Sequence, residues 1–304
     1  MREPITEEKL TGLKKQANDI RISIIEMLVE AGSGHSAGPL GMADIFTALY
    51  FHILKHDPFY PAWPERDRLI LSNGHICPVL YATMAHAKYF PVEELLTLRK
   101  FGSRLQGHPH RDFLPMLETS SGPLGCGLAQ AVGMALAERI TLSELAVGSG
   151  LQVVSGNAPH PLEAPHSNSH YIFCMMSDGE HDEGNTWEAI MMGGKEKLDN
   201  IIAIVDRNHI QIDGNTEDIM PLEPMRAKWE AFNWHVLDID GHDFKEIINA
   251  VEEAKAYKGK PTVIIAHTIP GKGVSFMENK FEWHGKPPTT EEAEVALKEL
   301  GARS

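Results

Sequence analysis

Short apolar runs alternate with longer amphipathic segments along much of this chain. The runs at 171–176, 200–205 and 261–268 have the length of buried strands and are bounded by Asp, Asn, Gly or Pro. Residues 6–31 instead carry apolar side chains at helical spacing, and a helix-like segment separates the first two runs. Strands that alternate with helices form a parallel sheet whose two faces are covered. The pattern therefore predicts an α/β fold, a parallel sheet flanked by helices on both faces.

The stretch from Ser177 to Gly214 has oxygen-bearing residues at both ends of one strand–helix–strand unit. Asp178 follows the first strand and Asn208 follows the second. Because open α/β sheets bind ligands at the carboxyl ends of their strands, we expect these side chains to be neighbours. A carboxylate, an amide oxygen and a backbone carbonyl suit Mg²⁺ or Ca²⁺ and not zinc. A turn and a loop residue would explain either one alone, but both together predict a metal held against a diphosphate.

Histidines lie in four loops that also contain glycine. His35 lies in a Gly-rich segment between two predicted helices, and His75 begins a helix directly after a strand. Such a strand–helix junction exposes backbone N–H groups that can bind an anion. His108 stands before a proline and so belongs to a loop, and His284 follows a tryptophan. Considered alone, His35 fits an exposed turn as well as a ligand site, and His75 is explained without a ligand.

Composition narrows the range of partners and compartments. The chain has 304 residues and a net charge of −14, so nucleic acid and anionic membranes are not expected as partners. Three cysteines without paired spacing indicate a reducing compartment, and we expect a cytoplasmic protein. The amino end lacks the apolar core of a signal peptide, and no apolar run is long enough to span a membrane.

Taken in order, the motifs resemble those of the transketolase family. Asp-Gly-Glu at 178–180, followed by Asn-x-Ile-x-Ile-Asp-Gly at 208–214, resembles the family's thiamine diphosphate motif. The other matching segments are Ser-Gly-His at 33–35, Ser-Asn-Gly-His at 72–75, Gly-His-Pro at 107–109, Ser-Gly-Pro-Leu-Gly-x-Gly at 121–127 and Trp-His-Gly-Lys-Pro at 283–287. The resemblance implies a thiamine diphosphate-binding fold with thiamine diphosphate and Mg²⁺ as cofactors.

The resemblance also assigns the ligands of these cofactors. It implies that Asp178, Asn208 and the backbone carbonyl of Ile210 hold the metal. The residues that would contact thiamine diphosphate are His75, Gly122, Pro123, Leu124, Gly179, Asn208 and His284.

Catalytic roles follow from the same resemblance. His35, His108 and His284 match family histidines that meet the substrate, and His284 would also meet the diphosphate. Glu183 matches a glutamate that lies between the two cofactor sites of a dimer. Histidine suits proton exchange with hydroxyls and carbonyl oxygens because its pKa lies near neutrality.

The match covers roughly the first third to half of a typical transketolase. We therefore expect residues 1–304 to form a single diphosphate-binding domain, with a surface insertion near 145–169. The domain that holds the cofactor's pyrimidine is missing from the match. The resemblance implies a separate carboxyl-terminal subunit, with a homodimer of this chain inside a heterotetramer.

The implied activity is ketol transfer, in which a two-carbon unit passes from a ketose phosphate to an aldose phosphate. Related interpretations remain open at this point. The chain could belong to a split thiamine enzyme for a modified sugar phosphate, or be a relative of deoxyxylulose phosphate synthase. It could also be a cofactor-binding or assembly subunit without turnover.

Overall fold

Five parallel strands form the central sheet of the computed structural model, which describes residues 5–148 and 170–302. The strands in chain order are β1 (Arg68–Leu71), β2 (Ile172–Ser177), β3 (Ile201–Arg207), β4 (Ile210–Gln211), β5 (Gly214–Asn215), β6 (His235–Asp240) and β7 (Thr262–His267). The sheet order is β1-β2-β3-β7-β6, while β4 and β5 form a separate antiparallel pair. The predicted parallel α/β sheet is confirmed.

The helices cover both faces of this sheet. They are α1 (Glu7–Ala31), α2 (Ala37–Ala48), α3 (Cys77–His86), α4 (Cys126–Gly148), α5 (Gly184–Lys195), α6 (Thr216–Ile219), α7 (Met225–Ala231), α8 (Phe244–Ala256) and α9 (Thr290–Glu299). Along β2, Phe173 and Met175 join the core beneath α1, α2 and α8, while Cys174 and Met176 join the core beneath α4 and α5. Successive strand residues face opposite sides, so a strand covered on both faces is apolar throughout.

Strand register brings the polar ends of β2 and β3 together. Ser177 of β2 pairs with Asp206 of β3, and Arg207 pairs with His267 of β7. All six residues of β2 and all seven of β3 are buried. The loops that follow these strands therefore meet at one edge of the sheet, as expected for parallel neighbours.

The start of the predicted insertion is helical. α4 continues to Gly148, so residues 145–148 extend that helix and are not a surface loop. The rest of the predicted insertion, residues 149–169, lies outside the described residues, and the single-domain assignment stays a prediction. Among residues 5–148 and 170–302, no helix combines the length and apolar character needed to cross a membrane.

Candidate functional site

Asp178 lies buried at the carboxyl end of β2 and is held by three donors. Its Oδ2 accepts hydrogen bonds from Arg207 Nη1 at 3.0 Å and from the backbone N–H of His209 at 2.9 Å. Its Oδ1 accepts from the N–H of Gly179 at 2.8 Å. Burial raises the pKa of Asp178 to about 6, against the opposing effect of the Arg207 charge. The loop after β3 therefore touches Asp178 directly, as the sequence predicted.

Asn208 is oriented by its neighbours on both sides. Its Nδ2 donates to Asp206 Oδ2 at 2.8 Å, and its Oδ1 accepts from the N–H of Ile210 at 3.1 Å. Asp206 also accepts from the Thr268 hydroxyl, and burial raises the pKa of this carboxyl to about 7. The amide is thus fixed with its oxygen on the side of the Ile210 backbone, where the metal was predicted.

Arg207 is a fully buried cation that sequence reasoning missed. Besides Asp178, its guanidinium donates to Thr216 at 2.9 Å, Glu217 at 2.7 Å and Glu223 at 2.9 Å. These bonds connect the end of β3 to α6 and to the segment before α7. Asp178, Arg207 and Asn208, with the side chains that bind them, are called the strand-end network below.

A hard cation at this edge of the sheet would need three kinds of oxygen ligand, namely a carboxylate, a side-chain amide and a backbone carbonyl. Among the residues that the structure describes, no three His, Cys, Asp or Glu side chains are arranged to bind a metal. A cation next to Asp178 would therefore depend on the Asn208 amide oxygen and on a backbone carbonyl such as that of Ile210. These are the all-oxygen ligands that Mg²⁺ accepts.

Three imidazole rings converge from loops far apart in the chain. The ring centroids of His35 and His75 lie 5.0 Å apart, those of His75 and His284 5.1 Å, and those of His35 and His284 5.6 Å. These three residues are called the imidazole cluster. Sequence analysis named each of them separately, and the fold brings them together.

The pKa of each ring in the imidazole cluster is lowered, which favours the neutral form of the rings. Burial, then the positive charges of His284, Arg99 and His108, lowers the pKa of His35 to about 4. Burial also lowers the pKa of His284 and, together with the neighbouring histidines, sets the pKa of His75 well below its usual value. A neutral ring has one donor and one acceptor, so each can accept a proton or donate a hydrogen bond.

His108 is exposed on a loop, and the backbone carbonyls of the two residues before it accept hydrogen bonds from side chains of α3. Tyr81 of α3 donates to the Gln106 carbonyl at 2.9 Å, and the Cys77 thiol donates to the Gly107 carbonyl at 3.2 Å. Burial lowers the pKa of His108, and the charge of Arg99 adds to the effect. His108 is close enough to contribute to the lowered pKa values of His35 and His75.

Glu180 ties the glycine loop to the strand ends. This fully buried carboxylate accepts hydrogen bonds from the Ser72 hydroxyl, from the N–H of Gly125 at 2.7 Å and from the N–H of Ser177 at 2.8 Å. A Cβ on Gly127 would lie 2.6 Å from the Ser72 Cα, so only glycine allows this approach. The sequence analysis has Glu180 only as part of the Asp-Gly-Glu motif, because the partners Ser72 and Gly125 lie far away in the chain.

Several buried polar atoms beside these loops lack hydrogen-bond partners. Neither amide atom of Asn73, nor the Ser121 hydroxyl, nor Nδ1 of His35 is paired within the described residues. Ser121 lies against the residue that follows Asn73, since a Cβ on Gly74 would lie 2.0 Å from Ser121 Oγ. Unpaired buried groups are unfavourable unless a ligand binds them. These atoms therefore fit a polar ligand such as a diphosphate, and of these three residues the sequence analysis assigned a site role only to His35.

Other predicted residues remain at the surface. Glu183 is exposed at the start of α5, and none of the contacts in the described residues joins it to the imidazole cluster. Pro123 is exposed, and Gly122, Leu124 and Gly179 are partly buried. Gly122, Pro123 and Leu124 lie on the loop before α4, and Gly179 lies in the turn after β2. Glu180 hydrogen-bonds to Gly125 at the end of that loop and to Ser177 at the end of β2.

Comparisons of the sequence and of the structure with known proteins match the same family. A family model described as "Transketolase, thiamine diphosphate binding domain" matches residues 13–304. The chain is 43% identical over 293 residues to the 6-deoxy-6-sulfo-D-fructose transketolase subunit SqwG of Clostridium sp. (strain MSTE9), covering 96% of this chain and 98% of that protein. It is 37% identical over 291 residues to one named subunit of the apulose-4-phosphate transketolase of Phocaeicola vulgatus, covering 96% and 94%.

Longer relatives match over only part of their length. The transketolase structure from Leishmania mexicana superposes with a TM-score of 0.84 at 33% identity, covering 95% of this chain and 41% of that chain. The sequence thus spans nearly all of the proteins named as subunits and about two fifths of this longer one.

Proposed function

The chain belongs to the transketolase family of transferases, and from this premise we propose that it is the diphosphate-binding subunit of a two-chain transketolase. The observation that carries the proposal is the imidazole cluster, with its rings 5.0–5.6 Å apart and unpaired polar atoms beside it. Proteins of this length with high identity are named as subunits. The missing part of the longer transketolases would be a separate carboxyl-terminal subunit.

Exposed apolar side chains beside the strand-end network support a partner on this face. Ile212, in the turn between β4 and β5, is 70% exposed, and Ile219 and Met220 are 45% and 55% exposed. Neighbouring apolar side chains on one face are typical of interaction surfaces. We propose that the partner subunit covers them, and that two copies of this chain pair inside a heterotetramer with Glu183 between their sites.

We propose thiamine diphosphate and Mg²⁺ as the ligands of this edge. Asp178, the Asn208 amide oxygen and the Ile210 carbonyl would hold the metal, and His75, His284, Gly179 and the loop from Gly122 to Leu124 would surround the cofactor. When bound, thiamine diphosphate supplies an electron sink for breaking a carbon–carbon bond beside a ketose carbonyl.

The chain's own residues would exchange protons and form hydrogen bonds with the sugar around the carbon–carbon bond that breaks. The neutral rings of His35 and His284 can accept a proton from a sugar hydroxyl or donate a hydrogen bond to a carbonyl oxygen. Exposed His108 would meet the sugar farther from the buried rings. Because the pKa of His35 is lowered to about 4, its ring is neutral at pH 7 and can accept a hydrogen bond through one ring nitrogen. The strand-end network keeps the adjoining loops fixed meanwhile.

The substrate pair we propose is a ketose phosphate donor and an aldose phosphate acceptor, exchanging a two-carbon ketol unit. A second candidate is a modified sugar, and a specific observation favours it. The relatives at 43% and 37% identity are named for a sulfo sugar and for apulose 4-phosphate. Profiling the reconstituted enzyme with ordinary, branched and sulfo sugars separates the two.

The decisive test combines the chain with its candidate partner. We expect thiamine diphosphate binding by calorimetry and ketol transfer in the complex, and a fall in turnover of roughly 100- to 10,000-fold for His284→Ala. The matched control is His110→Ala, an exposed histidine whose ring packs on Phe113. Unchanged turnover of His284→Ala in an intact complex would contradict the assignment. Binding without any transfer would instead indicate an assembly subunit.

A further inference from the structure

Ser36 stands at the amino end of α2, directly after His35 of the imidazole cluster. A serine at this position usually accepts a hydrogen bond from the first turn of its helix. Here the side chain makes no such capping bond. The hydroxyl instead donates to the backbone carbonyl of Lys286 at 2.6 Å, 250 residues away in the chain. Ser36 therefore uses its hydroxyl to join two distant loops and not to cap its own helix.

The carbonyl that Ser36 binds belongs to the 283–287 segment, which carries His284. Lys286 is two residues beyond His284, and two residues of chain span at most about 7 Å. Gly285 stands between them and lies against the His35 ring, since a Cβ there would lie 3.7 Å from His35 Nε2. The bond therefore joins the two loops directly beside a pair of rings whose centroids are 5.6 Å apart.

The 283–287 segment is held in shape by contacts on its other side. The Lys286 Nζ lies 3.9 Å from the centroid of the Trp283 ring and donates to Glu292 of α9 at 3.1 Å. These contacts fix the segment internally and attach it to α9, but they do not join it to the loop of His35. The bond from Ser36 makes that connection.

We propose that Ser36 is a positioning residue, which holds the His35 and His284 rings at the separation that the transfer requires. Its side chain is fully buried, so it acts through His284 and does not meet the sugar. A misplacement of about 1 Å can lower the rate of a reaction about a hundred-fold. The inference rests on the proposed ketol transfer and adds a residue that lies outside the Ser-Gly-His motif at 33–35.

The kinetic test removes the hydroxyl in the assembled enzyme. In Ser36→Ala, a bond from the Gly271 N–H to the Ala37 carbonyl at 2.8 Å still attaches the stretch before the segment to α2, so the fold should persist. We expect kcat and kcat/KM to fall together by roughly ten- to hundred-fold, and Ser36→Thr, which keeps the hydroxyl, to retain most of the rate. The matched control is Ser23→Ala, a buried serine of α1 whose hydroxyl bonds to His86 Nε2 at 3.0 Å, and its kcat should be unchanged.

A spectroscopic test measures the geometry in the full chain without its partner. With labelled histidines, wild type should show a nuclear Overhauser effect between the ring protons of His35 and His284, assigned with His35→Gln and His284→Ala. We expect this signal to be lost in Ser36→Ala and kept in Ser36→Thr and Ser23→Ala. The measurement needs no turnover. If the wild-type complex transfers no ketol unit, the proposed function fails, and the loss or retention of this signal in Ser36→Ala still supports or refutes the role of Ser36.

The remaining outcomes are equally decisive. Loss of the ring contact without loss of turnover, or loss of turnover with an intact ring contact, would contradict the positioning role while leaving ketol transfer in place. Equal losses in Ser36→Ala and Ser36→Thr would show that the hydroxyl is not what holds the rings. If urea denaturation shows Ser36→Ala to be unfolded, Ser36→Cys replaces it in both measurements, because a thiol is a weaker donor of similar size.

Discussion

The strand-end network and the imidazole cluster are built on opposite principles. In the first, Asp178 and Arg207 are both about 1% exposed and hydrogen-bonded to each other and to several neighbours. In the second, neutral histidine rings lie together, and Nδ1 of His35 has no partner within the described residues. The network pairs its buried arginine with acids of the chain, whereas the cluster consists of rings without an acidic partner in the described part of the chain and includes an unpaired ring nitrogen.

This contrast separates what holds the fold from what binds a ligand. A buried ion pair contributes to stability only while both partners are present, so removing Arg207, the member of the network that is not a proposed metal ligand, should mainly affect folding. Unpaired polar groups lower stability and become favourable only in a complex, so changing them should mainly affect binding. The predictions below test this division, beginning with the largest expected effect.

Removing the buried cation should cause the largest loss of stability. Arg207→Met leaves the carboxylate of Asp178 buried without its charge partner, and we expect the free energy of unfolding to fall by about 3–5 kcal/mol. Urea denaturation of the purified chain measures this. Arg226→Met removes a surface cation that pairs with Glu230 and Asp238, and it should change stability by less than about 1 kcal/mol. Equal effects of the two variants would contradict the contrast.

The next effect concerns His181, a histidine that belongs to the network. Its Nδ1 bonds the Asp178 carbonyl at 2.7 Å, and its Nε2 accepts from Trp229 Nε1 at 3.0 Å. Since tryptophan can only donate, this ring is neutral, and burial lowers its pKa from 6.5 to about 4.

The unfolded chain therefore binds a proton between these two values that the folded chain does not bind. Stability from this group is complete above pH 6.5 and falls by about 3 kcal/mol as the pH drops towards 4. Raised pKa values of Asp178 and Asp206 act in the opposite direction, so the measurement is the difference between wild type and His181→Gln across pH 7.5 to 4.5. Parallel stability profiles for the two proteins would show that His181 does not titrate in this way.

The smallest expected effect is an increase in stability, whereas the two changes above decrease it. Asn73 is fully buried with both amide atoms unpaired, so Asn73→Leu should raise the free energy of unfolding of the chain alone by about 1 kcal/mol. The same change should weaken thiamine diphosphate binding in calorimetry. Asn18→Leu is the matched control, because Asn18 donates to the Leu300 carbonyl at 2.7 Å and its loss should destabilise. A destabilised Asn73→Leu would show that this amide is not held for a ligand.

Sequence patterns predicted much of the fold and part of the site. The apolar runs at 171–176 and 200–205 became β2 and β3 because burial on both faces leaves a local signature. The convergence of His35, His75 and His284 was implied only through family motifs, since no local pattern places loops so far apart in the chain side by side. Glu180 was named only as part of a motif, because its partners Ser72 and Gly125 are more than fifty residues away and no local pattern indicates them.

The amino-acid order by itself determined where strands end and which oxygen and nitrogen side chains stand at those ends. Both follow from short-range periodicity and from the position of polar residues after apolar runs. Only the tertiary structure decided which charges are paired. Arg207 pairs with Asp178 and Glu223, while Arg99 lies beside two glycines of the histidine loops and pairs with no acid among the described residues. Ion pairing depends on distance in space, and parallel strands bring together side chains that are far apart along the chain.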